Sequence, residues 1–197
     1  MNNSDTCESG SIEISTAAGG TQGTGDISMK VGSTNSAGGN IDISVGNAQL
    51  LGGSISAVAG NSQTSTGGNI VLNSGNSATA SSGRVEIKSS TVSGAGKSGS
   101  IGLASGQSAA SSGTIALTTG DTLESTSGNG GISMTGGNSG NAIGGSITLN
   151  AGKSMNSGSG GSVTVSSGTS SAKTGNIDVQ TASSSSSGDT GQITIAT

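Results

Sequence analysis

Aliphatic residues along this chain come in pairs split by one residue that is usually polar, and the pairs recur at a nearly fixed interval. The first members are Ile12, Ile27, Ile41, Ile55, Ile70, Val85, Ile101, Ile115, Ile132, Ile147, Val163, Ile177 and Ile193, spaced 14 to 17 residues apart. The second members follow two residues later: Ile14, Met29, Ile43, Ala57, Leu72, Ile87, Leu103, Leu117, Met134, Leu149, Val165, Val179 and Ile195. Of these 26 positions 25 hold Ile, Val, Leu or Met, and they take 23 of the 32 Ile, Val and Leu residues in the chain. A disordered low-complexity sequence has no reason to ration its hydrophobes in this way.

Alternation of this kind predicts a short strand with one face buried. A third position on that face, four after the first, tapers to smaller residues such as Ala59, Ser74, Ser89 and Thr119. A glycine stands two residues ahead of the first aliphatic, from Gly10 to Gly191, where the chain must turn into each strand. Neighbouring strands are not joined by the two-residue Asn-Gly or Asp-Gly turns of antiparallel hairpins. The sequence therefore predicts an all-β fold, a parallel β-solenoid of about thirteen repeats of about 15 residues. Its expected buried spine includes Ile12, Ile41, Ile70, Ile101, Ile115, Ile147, Val163, Ile177 and Ile193. No single coil carries enough apolar surface to offset the entropy of ordering its backbone, so the expectation rests on stacking.

Coil size is left open between two arrangements. Two repeats per turn would set aliphatic strands against each other and bury more apolar area. One repeat per turn is favoured by a small residue seven after the first aliphatic, as in Thr34, Ala48, Ser62, Ser77, Ser108, Ser154 and Ser170, which reads as a second wall.

Composition removes several function classes. The 197 residues contain no Phe, Tyr, Trp, Pro or His, and six basic against ten acidic side chains leave a net charge of −4. Scattered cations and absent aromatics argue against nucleic acid as a partner. No apolar run is long enough for a membrane span, so no membrane insertion is expected. The start, "MNNSDTCESG", is polar and lacks the features of a secretory signal. Residues 1–9 are expected to be disordered or an appended start, and 10–197 a single repeat domain. Cys7 stands alone and is read as an inert thiol, and the glycosylation sequon Asn2-Asn3-Ser4 falls in the same stretch. With no His and one Cys, no cofactor, metal site or nucleophilic machinery is expected.

Runs such as "SGGSVTVSSG" and "GGSITLNAG" resemble the Gly/Ser-rich repeats of secreted algal and diatom surface proteins, and more loosely the "GGNI" coils of filamentous-haemagglutinin-like adhesins. The likeness runs from Gly10 to Thr197, with a period shorter than that of the haemagglutinin coils. It implies a right-handed parallel β-helix in a long extracellular or cell-surface protein used for adhesion or as wall and matrix material.

The expected function is accordingly non-enzymatic: a stiff spacer, wall, matrix or fibre-forming element. Its expected contacts are polysaccharide, matrix, or other copies joined end to end or laterally. The acids Glu13, Asp42, Glu86 and Asp178 lie between paired aliphatics and read as solubilising charges. In a two-repeat coil Glu13 and Asp42 would be ladder neighbours, as in a retaining glycosidase. "GGNSGN" at Gly136 has the glycines of a calcium-binding coil but lacks its Asp. The first alternative is ice binding through a face carrying Thr118, Ser133, Thr135, Thr148, Asn150, Thr164 and Ser166. The second is a carbohydrate-binding adhesin segment.

Overall fold

A computed structural model describes residues 10–21, 23–123, 130–140, 143–184 and 188–196. Residues 1–9, with Cys7 and the Asn2-Asn3-Ser4 sequon, lie outside the described residues, as does Thr197. Among the described residues there is no helix and no strand, so the chain is not an all-β parallel solenoid or β-helix. Nor do the aliphatic pairs bury one another: no hydrophobic residue of the described chain is buried, and Ile12, Ile41, Ile70, Ile101, Ile115, Ile147, Val163, Ile177 and Ile193 are all exposed.

Surface area measures how far the chain departs from a packed domain. It exposes 19826 Å² at a mass of 18.2 kDa. A globular chain of that mass exposes roughly 8,000 Å² and a fully unfolded one roughly 26,000 Å². The cause is the scarcity of apolar area. Two aliphatic side chains per repeat, with no aromatic anywhere, do not offset the entropy of ordering some fifteen residues.

Order of a different kind is present, and it repeats. The chain divides into two units, Met1–Ile101 and Gly102–Thr197. In the first unit, the glycine two before each aliphatic pair returns to the residue four after the preceding first aliphatic. Gly25 meets Thr16, Gly39 meets Val31, Gly53 meets Val45, Gly68 meets Ala59, Gly83 meets Ser74 and Gly99 meets Ser89. The second unit repeats the contact six times, from Gly113 against Ser105 to Gly191 against Thr181. Each repeat is thus a segment of constant length followed by a connection closed at its neck. Segments run from the glycine to the residue four after the first aliphatic, and all variation in period falls in the connections.

Backbone hydrogen bonds seal several necks. Gly68 N–H donates to the Gly60 carbonyl at 2.9 Å and Gly83 N–H to Gly75 at 2.9 Å in the first unit. In the second, Gly145 N–H donates to Gly137 at 2.8 Å, Gly161 N–H to Gly152 at 2.8 Å and Gly175 N–H to Gly168 at 3.1 Å. Close approach is what requires glycine here. A Cβ on Gly145 would lie 2.9 Å from the Gly137 nitrogen, and one on Gly53 would lie 2.6 Å from Val45 Cγ1. The best-covered residues sit at these points: Ala59, Gly136 and Ser167, four after a first aliphatic, and Ser154 in a connection, are half-buried.

In the interior copies the first aliphatic is the better covered of the pair, as with Ile41 at 47% and Ile43 at 71% exposed. The first member lies nearer the glycine that meets the preceding segment.

Gly145→Ala is expected to open one neck and leave the others closed, because each closes within its own connection. Amide chemical shifts in a 15N-correlated NMR spectrum should move between residues 136 and 147, at a cost of about 0.5–1.5 kcal/mol for the lost hydrogen bond. Shifts spread through all repeats would show that the necks are coupled.

Candidate functional site

Polar chemistry collects in the connections, and one position organises it. In ten copies, from Gly20 and Asn35 through Ser171, the chain first bends sharply eight residues after the first aliphatic. The residue just before that bend is the small residue that the sequence suggested as a second wall. In five of these copies it is a Ser or Thr whose hydroxyl accepts from backbone N–H groups two or three residues on, whereas Ala48 and Val92 have no hydroxyl. Thr34 Oγ1 accepts from Ser36 N–H at 3.1 Å, and Ser62 Oγ from Ser65 N–H at 2.9 Å. Ser77 Oγ accepts from Ala80 N–H at 2.9 Å and from Thr79 N–H at 3.4 Å. Ser108 Oγ accepts from Ala110 N–H at 3.2 Å, and Ser170 Oγ from Ala172 N–H at 3.1 Å. Ser154 reverses the sense, donating its hydroxyl to the Asn156 carbonyl at 3.2 Å. Serine and threonine hydroxyls offer the backbone this local alternative to a ladder, which is why they suit turns.

Longer connections carry a further device. Where the period is sixteen, a glycine eleven after the first aliphatic lies under the side chain seven after it. A Cβ on Gly96 would lie 3.3 Å from Val92 Cγ1, one on Gly158 3.1 Å from Ser154 Oγ, and one on Gly188 3.2 Å from Ser184 Oγ. The glycine contact at the neck is kept in these repeats, as at Gly99, Gly161 and Gly191.

Among the described residues, ion pairs gather on one segment. Glu86 accepts from Arg84 at 2.7 Å through one carboxylate oxygen and from Lys88 at 2.8 Å through the other. These side chains, at i, i+2 and i+4, flank Val85 and Ile87 along the chain. Along the sequence Arg84 and Lys88 belong to a set of six dispersed cations. Their alternation with Glu86 around an aliphatic pair is the signal that identifies the cluster. All three are exposed, so the cluster organises a surface and contributes little to stability.

The remaining candidates are dispersed. Thr118, Ser133, Thr135, Thr148, Asn150, Thr164 and Ser166 are all exposed, but no strand joins the segments that carry them among the described residues. The register that would make them a flat rank is therefore missing there. Glu13 and Asp42 likewise lack the ladder that would have set them side by side. Gly136 and Gly137, in the stretch compared with calcium coils, serve a neck: Gly137 accepts from Gly145, and a Cβ on Gly136 would run into the Gly145 carbonyl.

A cleft of about 420 Å³ opens beside Thr119, Gly120, Asp121, Thr122 and Gly130. Its described lining offers one carboxylate, Asp121, and two hydroxyls, Thr119 and Thr122. Among the described residues no three His, Cys, Asp or Glu side chains gather as a metal ion would need, and no helix is long and apolar enough to cross a membrane. No family model, curated protein or solved structure matches the chain.

Ser77→Ala is expected to free the Thr79 and Ala80 amides and loosen that bend, by about 0.5–1.5 kcal/mol. Hydrogen exchange at the two amides should quicken several-fold, while Ser77→Thr should restore the wild-type rate. Equal exchange in all three proteins would exclude the hydroxyl as the element that holds the turn.

Proposed function

We propose that this chain is a non-enzymatic structural repeat that spaces or fills material outside the cell, as part of a wall, matrix or fibre. The observation that carries this reading is the even spread of its chemistry. The same segment and neck recur through both units, with hydroxyl-held bends in each, and among the described residues His, Cys, Asp and Glu side chains are not gathered at one place. An enzyme concentrates perturbed and converging groups in a cleft. A spacer needs length, solubility and a surface that tolerates its neighbours.

The stiff rod expected from stacked coils goes with the solenoid. The spacer proposed here extends by adding segments and locally closed connections, each independent of the next. Many of its exposed groups are Ser, Thr and Asn side chains, which suit hydrated polysaccharide surroundings. The resemblance to secreted surface repeats supports the extracellular setting.

Removing one whole repeat, residues 70–84, tests the reading on the otherwise intact chain. The hydrodynamic radius should fall by a small step in proportion to the residues lost, and amide shifts elsewhere should stay in place. Collapse of the whole spectrum would overturn an additive spacer. Thermal hysteresis with ice-crystal shaping by the full chain would favour the ice-binding alternative, and selective retention on a glycan array the carbohydrate adhesin.

A further inference from the structure

Among the described residues, five necks close with a backbone hydrogen bond that joins the end of one segment directly to the start of the next. The pairs are Gly60 with Gly68, Gly75 with Gly83, Gly137 with Gly145, Gly152 with Gly161 and Gly168 with Gly175, at 2.8 to 3.1 Å. Between the members of each pair the chain takes seven to nine residue steps, which form the connection. The bends of these connections are held inside the loop, as Ser62 Oγ holds the Ser65 amide and Ser77 Oγ the Ala80 amide. Tension along the chain therefore passes through the neck hydrogen bond and bypasses the connection. Each neck rests on a single such bond between exposed glycines, whose net worth in water is small.

We infer that these necks are releasable closures, which let the chain lengthen under load and recoil when the load is removed. Length supports the assignment. Opening one neck frees a connection that extends to roughly 25–30 Å, where the closed neck spans one hydrogen bond, so each release gains roughly 20 Å. No covalent bond breaks, and the hydroxyl-held bends come under tension only after the neck has opened.

The same geometry favours recoil. Ends separated by so few residues meet again within about 10–100 ns. Glycine at the donor leaves the seat clear, because a Cβ on Gly145 would lie 2.9 Å from the Gly137 nitrogen and one on Gly68 3.3 Å from the Gly60 nitrogen. Every bond pairs residues of one connection, so release is graded, neck by neck, whereas stacked coils would let go together. This is a response of the chain itself to load, and it holds whether the chain spaces a wall, a matrix or a fibre.

Single-molecule stretching of the full chain, held at its two ends, is the test. The contour length fitted to the low-force part of the wild-type curve should fall short of its high-force value by on the order of 100 Å, the sum over five necks. Stretching and relaxation traces should superimpose. Gly68→Pro, Gly145→Pro and Gly161→Pro together remove three of the five donors and should reduce the shortfall by about half. Gly67→Pro, Gly144→Pro and Gly160→Pro place the same ring one residue earlier, keep the three donors and should leave the wild-type curve. A wild type with one contour length at all forces overturns the inference, as does a single abrupt lengthening with hysteresis. So does a donor variant that stretches like wild type, or equal loss in both variants, which would trace the shortfall to proline stiffness rather than to the bonds. None of these outcomes bears on the repeat-deletion result, so the two readings fail separately.

Discussion

A backbone that doubles back far enough for a glycine to touch the residue at the end of the preceding segment is the contact on which the rest of this structure depends. Closing a loop of eight to eleven residues costs chain entropy that rises only slowly with length. Glycine keeps the approach open, because any Cβ at Gly53 or Gly145 would occupy the space of the atoms it meets. A single N–H to carbonyl bond, such as Gly145 to Gly137, then fixes the neck, and a serine or threonine hydroxyl fixes the bend beyond it. Every step is local in sequence, so each connection forms without waiting for distant parts of the chain.

Stacked coils would have demanded the reverse, with most stabilisation arriving from neighbours. The sequence places large aliphatics on one side of each segment but supplies nothing large to lie opposite them. Phe, Tyr and Trp, which bury the most surface per residue, are absent. Local satisfaction therefore wins: glycine amides and hydroxyls bond within their own connection, and the aliphatic pairs remain in solvent.

Much of this was legible in the residues, and the part that was not has a clear cause. The period, the constant segment and the glycine corner follow from spacing alone, because alternation and close approach restrict residue types strongly. What covers the aliphatic pairs was not legible, since a two-residue alternation is equally consistent with a sheet partner, another molecule or water. Ser77 shows the second ambiguity: a small polar residue at a fixed place satisfies both a thin wall and a turn-holding hydroxyl, and only the bond to the Ala80 amide decides. The Arg84, Glu86 and Lys88 cluster was open to discovery, but counting the cations as scattered hid their common side.

Constant segments and elastic connections also bear on how such a sequence withstands copying errors. Repetitive genes gain and lose codons by slippage, and in a regular strand one added residue reverses the side of everything that follows. Here the sixteen-residue repeats carry a glycine four residues after the one that precedes the bend, as Gly96 follows Val92 and Gly158 follows Ser154, and the extra residue is absorbed before the next pair begins. Polarity of the two sides is thereby reset once in each repeat, and a frame-preserving insertion in one connection does not propagate to the next.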